Sequence, residues 1–181
     1  MFILSDLEIV EKSFGTWAKG LSDLGIKEAD KVYEEAKLIV DEKVKTVELY
    51  QNIKETLDQL VNKGKKLALH TSSTRNMLYP AIVSNDLEKY FRIILTRDDV
   101  KNGKPDPEVI LKEMDFLNAS PSECLIVGDS DGDMKTGKNA GVDTVLFYPE
   151  SHKKFYRKEF LVNDNPDYVI TDLLELVNLV N

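Results

Sequence analysis

The stretch "LIVGDSDGDMKTGKNAGV", Leu125 to Val142, places three acidic residues directly after an apolar run. The run "CLIVG" (124–128) is typical of a buried strand, and the residues after it predict a helix that begins near Asp131. Carboxylates gathered at the end of a buried strand repel one another unless a cation joins them. Asp129, Asp131 and Asp133 therefore indicate a cation site, and oxygen ligands of this kind favour Mg²⁺ or Ca²⁺.

Two familiar loops resemble this stretch and are excluded by its details. An EF-hand starting at Asp129 needs Gly at its sixth position and Glu at its twelfth, where the chain has Met134 and Ala140. A P-loop reading of "GDMKTGKN" (132–139) fails because Asn139 replaces the required Ser or Thr. Its Gly-Lys pair would also lie inside the predicted helix, beside acids that repel phosphate.

Helix-like and strand-like segments alternate from about residue 47 onward. This alternation predicts parallel strands with right-handed helical crossovers, and therefore a three-layer α/β fold with a Rossmann-like parallel sheet. The predicted strands are 66–70, 92–96, 124–128, 143–148 and 167–170, and the predicted helices are 53–63, 75–90, 109–117, 131–140 and 173–180. We expect Pro80 to bend or interrupt its helix and Thr171 to cap the last one.

The residues before 47 have a different pattern. Apolar residues recur every three or four positions from Leu7 to Leu24, which predicts a helix with one apolar face. Ser5 and Glu8 form a capping box at its start, and Gly25 ends it. A second amphipathic helix over 32–40 completes a predicted helical hairpin.

Two further strand ends carry polar residues that suit an anion. "TSSTRN" follows the 66–70 strand, and the hydroxyl and N–H groups of Thr71 and Ser72 suit phosphate oxygens. Lys104 lies in the turn "NGKPDP", which would present one ammonium group from a rigid backbone. Each feature alone also fits a simpler interpretation, a helix N-cap cluster in the first case and a solvated turn lysine in the second. In parallel sheets ligands bind beyond the carboxyl ends of the strands, where all these residues are predicted to lie.

Composition limits the classes of partner. The chain has 181 residues and a net charge of −8, which argues against nucleic acid or an anionic membrane as the main partner. No apolar run is long enough to span a membrane, and no secretory signal is apparent. The single cysteine, Cys124, excludes a disulfide framework, so we expect a cytoplasmic location.

Taken together, the three strand ends resemble the haloacid dehalogenase (HAD) superfamily of phosphohydrolases. "KLALHTSSTR" resembles the strand that ends in the second motif of the family, "NGKPDPEVI" the third, and "LIVGDSDGDMKTGKNAGV" the fourth. The resemblance implies a small helical cap at 5–46 and a Rossmann-like core at 47–181, with residues 1–4 if they are ordered. It also implies phosphoryl transfer to an aspartate, assisted by Mg²⁺.

The resemblance assigns roles to residues of these motifs. Thr71 and Lys104 would be catalytic, and Thr71, Ser72 and Lys104 would bind phosphate. Asp129 would ligate Mg²⁺ and Asp133 would support the metal site. The substrate implied is a small phosphorylated metabolite, while the oligomeric state stays open.

The first motif of the family, a strand followed by D-x-D-G-T, is not in this sequence. "FILSDLEIVEKSF" instead fits the position just after that motif, so we expect the chain to begin after the nucleophile. The alternative is that "MFILSD" is itself a short strand, with Asp6 as nucleophile and Glu8 as the second acid. The capping box of Ser5 and Glu8 argues against that alternative.

The expected function is therefore that of a HAD phosphohydrolase whose chain, as given, is inactive or weak and binds Mg²⁺ weakly. A catalytically inactive binding or regulatory protein of the same fold is one alternative, and a phosphomutase is another, with dehalogenation a lesser option. We expect Cys124 to be a core residue. We expect His70 and His152 to be structural or solvent-exposed, because neither has a partner typical of a catalytic triad.

Overall fold

The computed structural model describes residues 48–154 and 165–180, together with residue 22, residues 25–32, and residues 34, 35 and 38. Within these residues the main helices and strands alternate along the chain. They are α1 Ile53–Asn62, β1 Leu67–His70, α2 Arg75–Ser84, β2 Phe91–Leu95, α3 Glu108–Leu117, β3 Leu125–Gly128, α4 Asp131–Ala140, β4 Asp143–Phe147, β5 Tyr168–Ile170 and α5 Leu176–Leu179. The predicted helices and strands from residue 53 onward are therefore confirmed, with two differences in extent. The helix predicted within 75–90 ends at Ser84, and the last helical segment begins as a 3-10 helix, Leu173–Glu175, directly before α5.

The strands form parallel sheets, as the alternation predicts. β1 pairs with β2, and β3 pairs with β4, which in turn pairs with β5. This arrangement confirms the α/β class with parallel strands. β1 and β3 each pair with one described strand only, so their other edges carry no partner among the residues that the structure describes.

Helix α4 lies directly on β3 and β4, and a glycine allows this close approach. A Cβ atom at Gly137 would lie 2.5 Å from the side chains of Ile126 and Thr144. Met134, on the same helix, is fully buried, as are Val145 and Leu146 of β4. The helix that carries Asp133 is therefore fixed on the sheet by close packing, which fixes where that carboxylate lies.

Two details of the helices bear on the predictions for Pro80 and Thr171. Helix α2 continues through Pro80 to Ser84, so the proline does not interrupt it. The cap of the last helical segment is Asp172, whose carboxylate accepts a hydrogen bond from the backbone of Leu174 at 2.9 Å, and not Thr171. The Thr171 side chain instead donates to Glu175.

The predicted helical hairpin lies mostly outside the described residues. Residues 29–32, 34, 35 and 38 are helical, as expected for its second helix, and Gly25 has the positive φ of 76° typical of a helix end. The first helix, with Ser5, Asp6 and Glu8, lies outside the described residues. The domain division into 5–46 and 47–181 stays a prediction.

Candidate active site

Asp133 is the most enclosed acid at the carboxyl end of β3. Its side chain is 7% exposed, and one of its oxygens pairs with the ammonium group of Lys104. The other oxygen accepts hydrogen bonds from the hydroxyl of Ser130 at 2.7 Å and from the backbone N–H groups of Asp129 and Ser130 at 3.2 and 3.1 Å. Both oxygens are thus engaged by donors, which holds the carboxylate in one orientation.

The local sequence explains why Asp133 can lie there. Ser130 is the N-cap of α4 and forms a capping box with Asp133, the third residue of the helix. Gly128 ends β3 beneath the carboxyl group, and a Cβ atom at that glycine would lie 2.3 Å from the Asp133 side chain. In the sequence G-D-S-x-x-D, the glycine, the serine and the backbone between them therefore surround the side chain of the last residue, Asp133.

Opposing effects act on the pKa of Asp133. Burial raises it, but the charge of Lys104 and the hydrogen bonds from Lys104 and Ser130 outweigh burial, so the pKa lies below its usual value. Asp133 is therefore ionised at neutral pH. Together Lys104, 18% exposed, and Asp133 form a nearly buried ion pair between the turn before α3 and the first turn of α4.

Asp129 has the opposite electrostatic character. Desolvation and then the negative charge of Asp133 raise its pKa, against weaker lowering effects from His152 and Lys104. The residue as a whole is exposed at the end of the strand, but neighbouring protein atoms still desolvate its carboxyl group. Unlike Asp133, Asp129 is thus a carboxylate whose charge the surrounding protein does not fully compensate.

Thr71 and Ser72 follow β1 and reach the same region as Lys104. Thr71, Ser72 and Lys104 line one small cavity, together with Arg97 and Asn102. The Thr71 hydroxyl accepts a hydrogen bond from the backbone of Ser73 at 3.1 Å, which leaves its own O–H proton available to donate. The structure therefore brings two hydroxyls and one ammonium group to the same edge of the fold.

Asp131 and Cys124 lie outside the candidate site, and Cys124 packs against the core, as predicted. The Asp131 side chain is 37% exposed and pairs with Lys135, one turn further along α4, at 2.9 Å. Cys124 lies just before β3 and packs against the apolar cluster that includes Val109 and Ile126, and burial raises the pKa of its thiol. Neither residue takes part in the candidate site.

A divalent cation fits this site only in part. Among the described residues, no group of three or more His, Cys, Asp and Glu side chains could hold a metal ion. Asp129 supplies an incompletely compensated oxygen ligand, which suits a hard cation, whereas the oxygens of Asp133 are already taken by Lys104 and backbone donors. These residues fit one edge of a Mg²⁺ site, with Asp129 as ligand and Asp133 as its support.

His152 and Tyr50 lie near the site, which no pattern in the sequence indicated. His152, for which a structural role or an exposed position was predicted, is 6% exposed, and its Nε2 lies 2.8 Å from the Tyr50 hydroxyl. Phe147 packs edge-on against both rings. His152 and Tyr50 also interact electrostatically with Asp129. Because 102 residues separate Tyr50 from His152, no local pattern could have revealed the contact.

His70 is a structural residue, as predicted. Its Nδ1 lies 3.0 Å from a carboxylate oxygen of Glu113 on α3, and both side chains are nearly buried. The pair joins the end of β1 to α3 directly before Thr71. Its signal in the sequence was only the polar residue at the end of an apolar strand.

No helix among the described residues is both long enough and apolar enough to cross a membrane.

Comparisons with known proteins identify relatives of this chain by sequence and by fold. The chain is 35% identical over 136 residues to pyrophosphatase PpaX of Halalkalibacterium halodurans, covering 75% of this chain and 61% of the relative. It is 33% identical over 138 residues to pyrophosphatase PpaX of Bacillus mycoides, covering 75% and 62%. The chain thus spans about three fifths of the length of these curated relatives.

Solved structures of other proteins share the fold of this chain. A proposed β-phosphoglucomutase from Thermotoga maritima matches with a TM-score of 0.68 and 27% identity, over 91% of this chain and 77% of that one. A haloacid dehalogenase-like protein of unknown function from Agrobacterium tumefaciens matches with a TM-score of 0.83 and 20% identity, over 98% and 83%. The sequence model of the haloacid dehalogenase-like hydrolases matches residues 5–147. This chain belongs to the haloacid dehalogenase-like hydrolase family.

Proposed function

We propose that this chain carries the phosphate-binding and metal-supporting part of a phosphohydrolase site for small phosphorylated molecules, with pyrophosphate as the first substrate to test. The observation that carries the proposal is the Lys104–Asp133 ion pair, which lies beside Asp129. Lys104 also shares a cavity with Thr71 and Ser72. The name of the two pyrophosphatase relatives supports the choice of substrate.

Lys104 is the principal anion ligand in this proposal. Its ammonium group has three donors, and Asp133 takes one of them, so the others remain for a phosphoryl oxygen. Asp133 also fixes the position of the ammonium group, which avoids the cost of ordering a flexible lysine when the substrate binds. The hydroxyls of Thr71 and Ser72 would donate further hydrogen bonds to the same phosphoryl group.

Mg²⁺ is the cofactor that the family resemblance implies. Asp129 would hold it and Asp133 would support the arrangement by orienting Lys104 and the loop backbone. When bound, Mg²⁺ neutralises charge on the phosphoryl oxygens. With Asp129 as the one incompletely compensated carboxylate among the motif residues, we expect this chain to bind Mg²⁺ weakly on its own.

The nucleophile is the open part of the proposal. The family resemblance implies that an aspartate carboxylate attacks phosphorus while a second aspartate protonates the leaving group. The sequence lacks D-x-D-G-T, and Asp6 is the alternative nucleophile. We expect the chain as given to bind inorganic phosphate but to hydrolyse pyrophosphate slowly or not at all.

Measurements of phosphate binding and of phosphate release test the binding residues and the nucleophile separately. Calorimetric titration with inorganic phosphate, with and without Mg²⁺, should show binding that Lys104→Met weakens about tenfold or more, the loss expected for a charge-assisted contact. Equal affinity in wild type and Lys104→Met would refute the proposed site. Release of phosphate from pyrophosphate that Asp6→Asn abolishes would establish Asp6 as the nucleophile.

A phosphomutase is a second candidate, favoured by the likeness to the proposed β-phosphoglucomutase from Thermotoga maritima. A mutase would convert one phosphate position of a sugar phosphate into another without releasing phosphate, which product analysis by ³¹P NMR distinguishes from hydrolysis. The DNA upstream of this sequence tests the alternative of an inactive binding protein: an in-frame segment that encodes an apolar strand and D-x-D-G-T would exclude it.

A further inference from the structure

The turn that carries Lys104 is held by a carboxylate that lies outside the candidate site. Glu108, the first residue of α3, turns back toward the preceding loop. Its two oxygens accept hydrogen bonds from the backbone N–H of Lys101 at 3.1 and 3.0 Å, and one of them also accepts from Asn102 at 2.9 Å. Its side chain is only 19% exposed. The loop is thereby fixed at the two residues that come just before Gly103 and Lys104.

A charged neighbour, Lys112, strengthens this clamp, by which we mean the hydrogen bonds from the backbone of Lys101 and Asn102 to the Glu108 carboxylate. Lys112, one helical turn further along α3, pairs with Glu108 at 2.7 Å and donates to the carbonyl of Asp99 at 2.7 Å. The hydrogen bond from Lys112, followed by those from Asn102 and Lys101, lowers the pKa of Glu108 to about 2. Glu108 is therefore ionised throughout the physiological pH range, and its acceptor oxygens stay available to the loop backbone over that range.

Other contacts hold the same turn on both sides. Arg97 donates to the carbonyls of Val100 at 2.8 Å and Lys101 at 3.4 Å. On the far side of Lys104, the amide of Asn139 donates to the carbonyl of Pro105 at 2.9 Å. The backbone around Lys104 is therefore tied to the end of β2, to α3 and to α4.

We propose that Glu108 is a positioning residue for Lys104: it fixes the backbone of the turn so that the ammonium group of Lys104 is aligned for a phosphoryl oxygen. This inference rests on the proposed function, since it assumes that Lys104 binds phosphate. Glu108 does not reach the cavity lined by Thr71, Ser72 and Lys104. It acts through the N–H groups of Lys101 and Asn102, and a small displacement of an aligned group weakens its contact sharply.

A double-mutant cycle with inorganic phosphate as the probe tests this role. The four proteins are wild type, Glu108→Gln, Lys104→Met and the double variant, each titrated by calorimetry at a temperature where its circular dichroism shows it to be folded. Glutamine keeps the shape of the side chain but has one acceptor oxygen in place of two and loses the ion pair with Lys112. We expect Glu108→Gln to weaken phosphate binding roughly fivefold, the effect of about one hydrogen bond.

The decisive quantity is the coupling between the two substitutions. If Glu108 acts through Lys104, Glu108→Gln causes no further loss of affinity in the Lys104→Met background. A fivefold loss in both backgrounds would mean that Glu108 acts independently of Lys104, which would overturn the inference. Unchanged affinity in Glu108→Gln, with Lys104→Met clearly weakened, would overturn the inference and leave the proposed function standing. Full affinity in Lys104→Met would overturn both.

Glu175 provides a matched control. It accepts hydrogen bonds from the backbone N–H groups of Thr171 at 2.8 Å and Asp172 at 2.9 Å, the same kind of clamp at the start of the last helical segment. Glu175→Gln makes the same chemical change away from Lys104, and we expect it to leave phosphate affinity unchanged. A loss of affinity equal to that of Glu108→Gln would show a general effect on the fold and would count against a positioning role.

Discussion

Asp133 and Asp167 accept nearly the same set of hydrogen bonds in two different environments. Asp133 accepts from a lysine ammonium, two backbone N–H groups and a serine hydroxyl. Asp167 accepts from a lysine ammonium, one backbone N–H group and a threonine hydroxyl. The side chain of Asp133 is 7% exposed, whereas that of Asp167 is 35% exposed. Asparagine at each position therefore separates the effect of burial from that of the hydrogen bonds.

We expect Asp133→Asn to lower the free energy of unfolding by about 3 kcal/mol, the lower end of the range for breaking a buried ion pair. The lower end applies because Lys104 is 18% exposed and can still reach water. We expect Asp167→Asn to cost no more than about 1 kcal/mol, because solvent screens its ion pair and an asparagine oxygen can keep the bonds from Thr144.

Urea unfolding at pH 7 measures both effects. With a slope of about 2 kcal/mol per M, the two midpoints would fall by about 1.5 M and about 0.5 M. The prediction depends on the difference between the variants, which is less sensitive to the slope than either value. An Asp133→Asn midpoint that is no lower than that of Asp167→Asn would refute the argument from burial.

The pH dependence of the Asp133→Asn effect follows from the lowered pKa of Asp133. A carboxyl group with a lowered pKa stabilises the fold at pH values above the pKa of the unfolded chain, about 3.9. It loses this contribution as the pH falls through the folded-state pKa. The difference between wild type and Asp133→Asn should therefore stay constant from pH 7 to about 5 and shrink below about pH 4. A difference that grows on acidification would contradict the direction of the shift.

Three further predictions use the same unfolding measurement. Asp129→Asn should stabilise the metal-free protein, because it removes a carboxylate whose pKa is raised by desolvation; the expected gain is up to about 0.5 kcal/mol, reduced because the residue is exposed. The same substitution should abolish any stabilisation by Mg²⁺, and an unchanged Mg²⁺ response would exclude Asp129 as a ligand. Gly137→Ala should cost about 1–3 kcal/mol, because its Cβ would lie 2.5 Å from side chains of β3 and β4. Gly132→Ala, with its nearest neighbour at 3.5 Å, should instead be neutral or stabilising by up to about 1 kcal/mol, and equal effects at the two glycines would contradict the packing argument. Glu113→Ala should cost about 1–3 kcal/mol because it leaves the nearly buried His70 ring without its partner, and a cost below about 0.5 kcal/mol would show that water replaces the glutamate.

The elements that position the site could be predicted because their signals are local. An apolar strand followed by polar residues predicted where Thr71 and Asp129 lie, and the helix that carries Asp133 was predicted to begin near Asp131. The turn around Lys104 followed from Gly103 and the prolines after it. Each of these inferences needs only residues within about one helical turn of one another.

The contacts that complete the site were not predictable, because they join residues distant in sequence. Lys104 and Asp133 are 29 residues apart, and the family resemblance assigned Lys104 to phosphate binding without indicating that Asp133 would be its partner. The Tyr50–His152 contact joins residues 102 positions apart. His152 is buried in the structure, although charged residues surround it in the sequence. Local competition explains the smaller error at the last helical segment. There, Thr171 and Asp172 are both good caps, and Asp172 is the one whose side chain reaches the helix N-terminus.

Three acids after one strand first suggested a single cation shared among them, and the structure divides them into three roles. Asp131 is paired with Lys135 on the surface. Asp133 is ionised and neutralised by Lys104, so this pair contributes orientation but almost no net charge to the site. Of the three, Asp129 alone keeps an incompletely compensated charge, and desolvation followed by the adjacent Asp133 charge raises its pKa. Two carboxylates four residues apart thus differ in pKa because Lys104 and Ser130 donate hydrogen bonds to Asp133, whereas desolvation and the charge of Asp133 dominate at Asp129. Neighbouring acids acquire different roles in this way. A site of net charge near −1 is one that a divalent cation turns positive, and a positive site is what a phosphate anion requires.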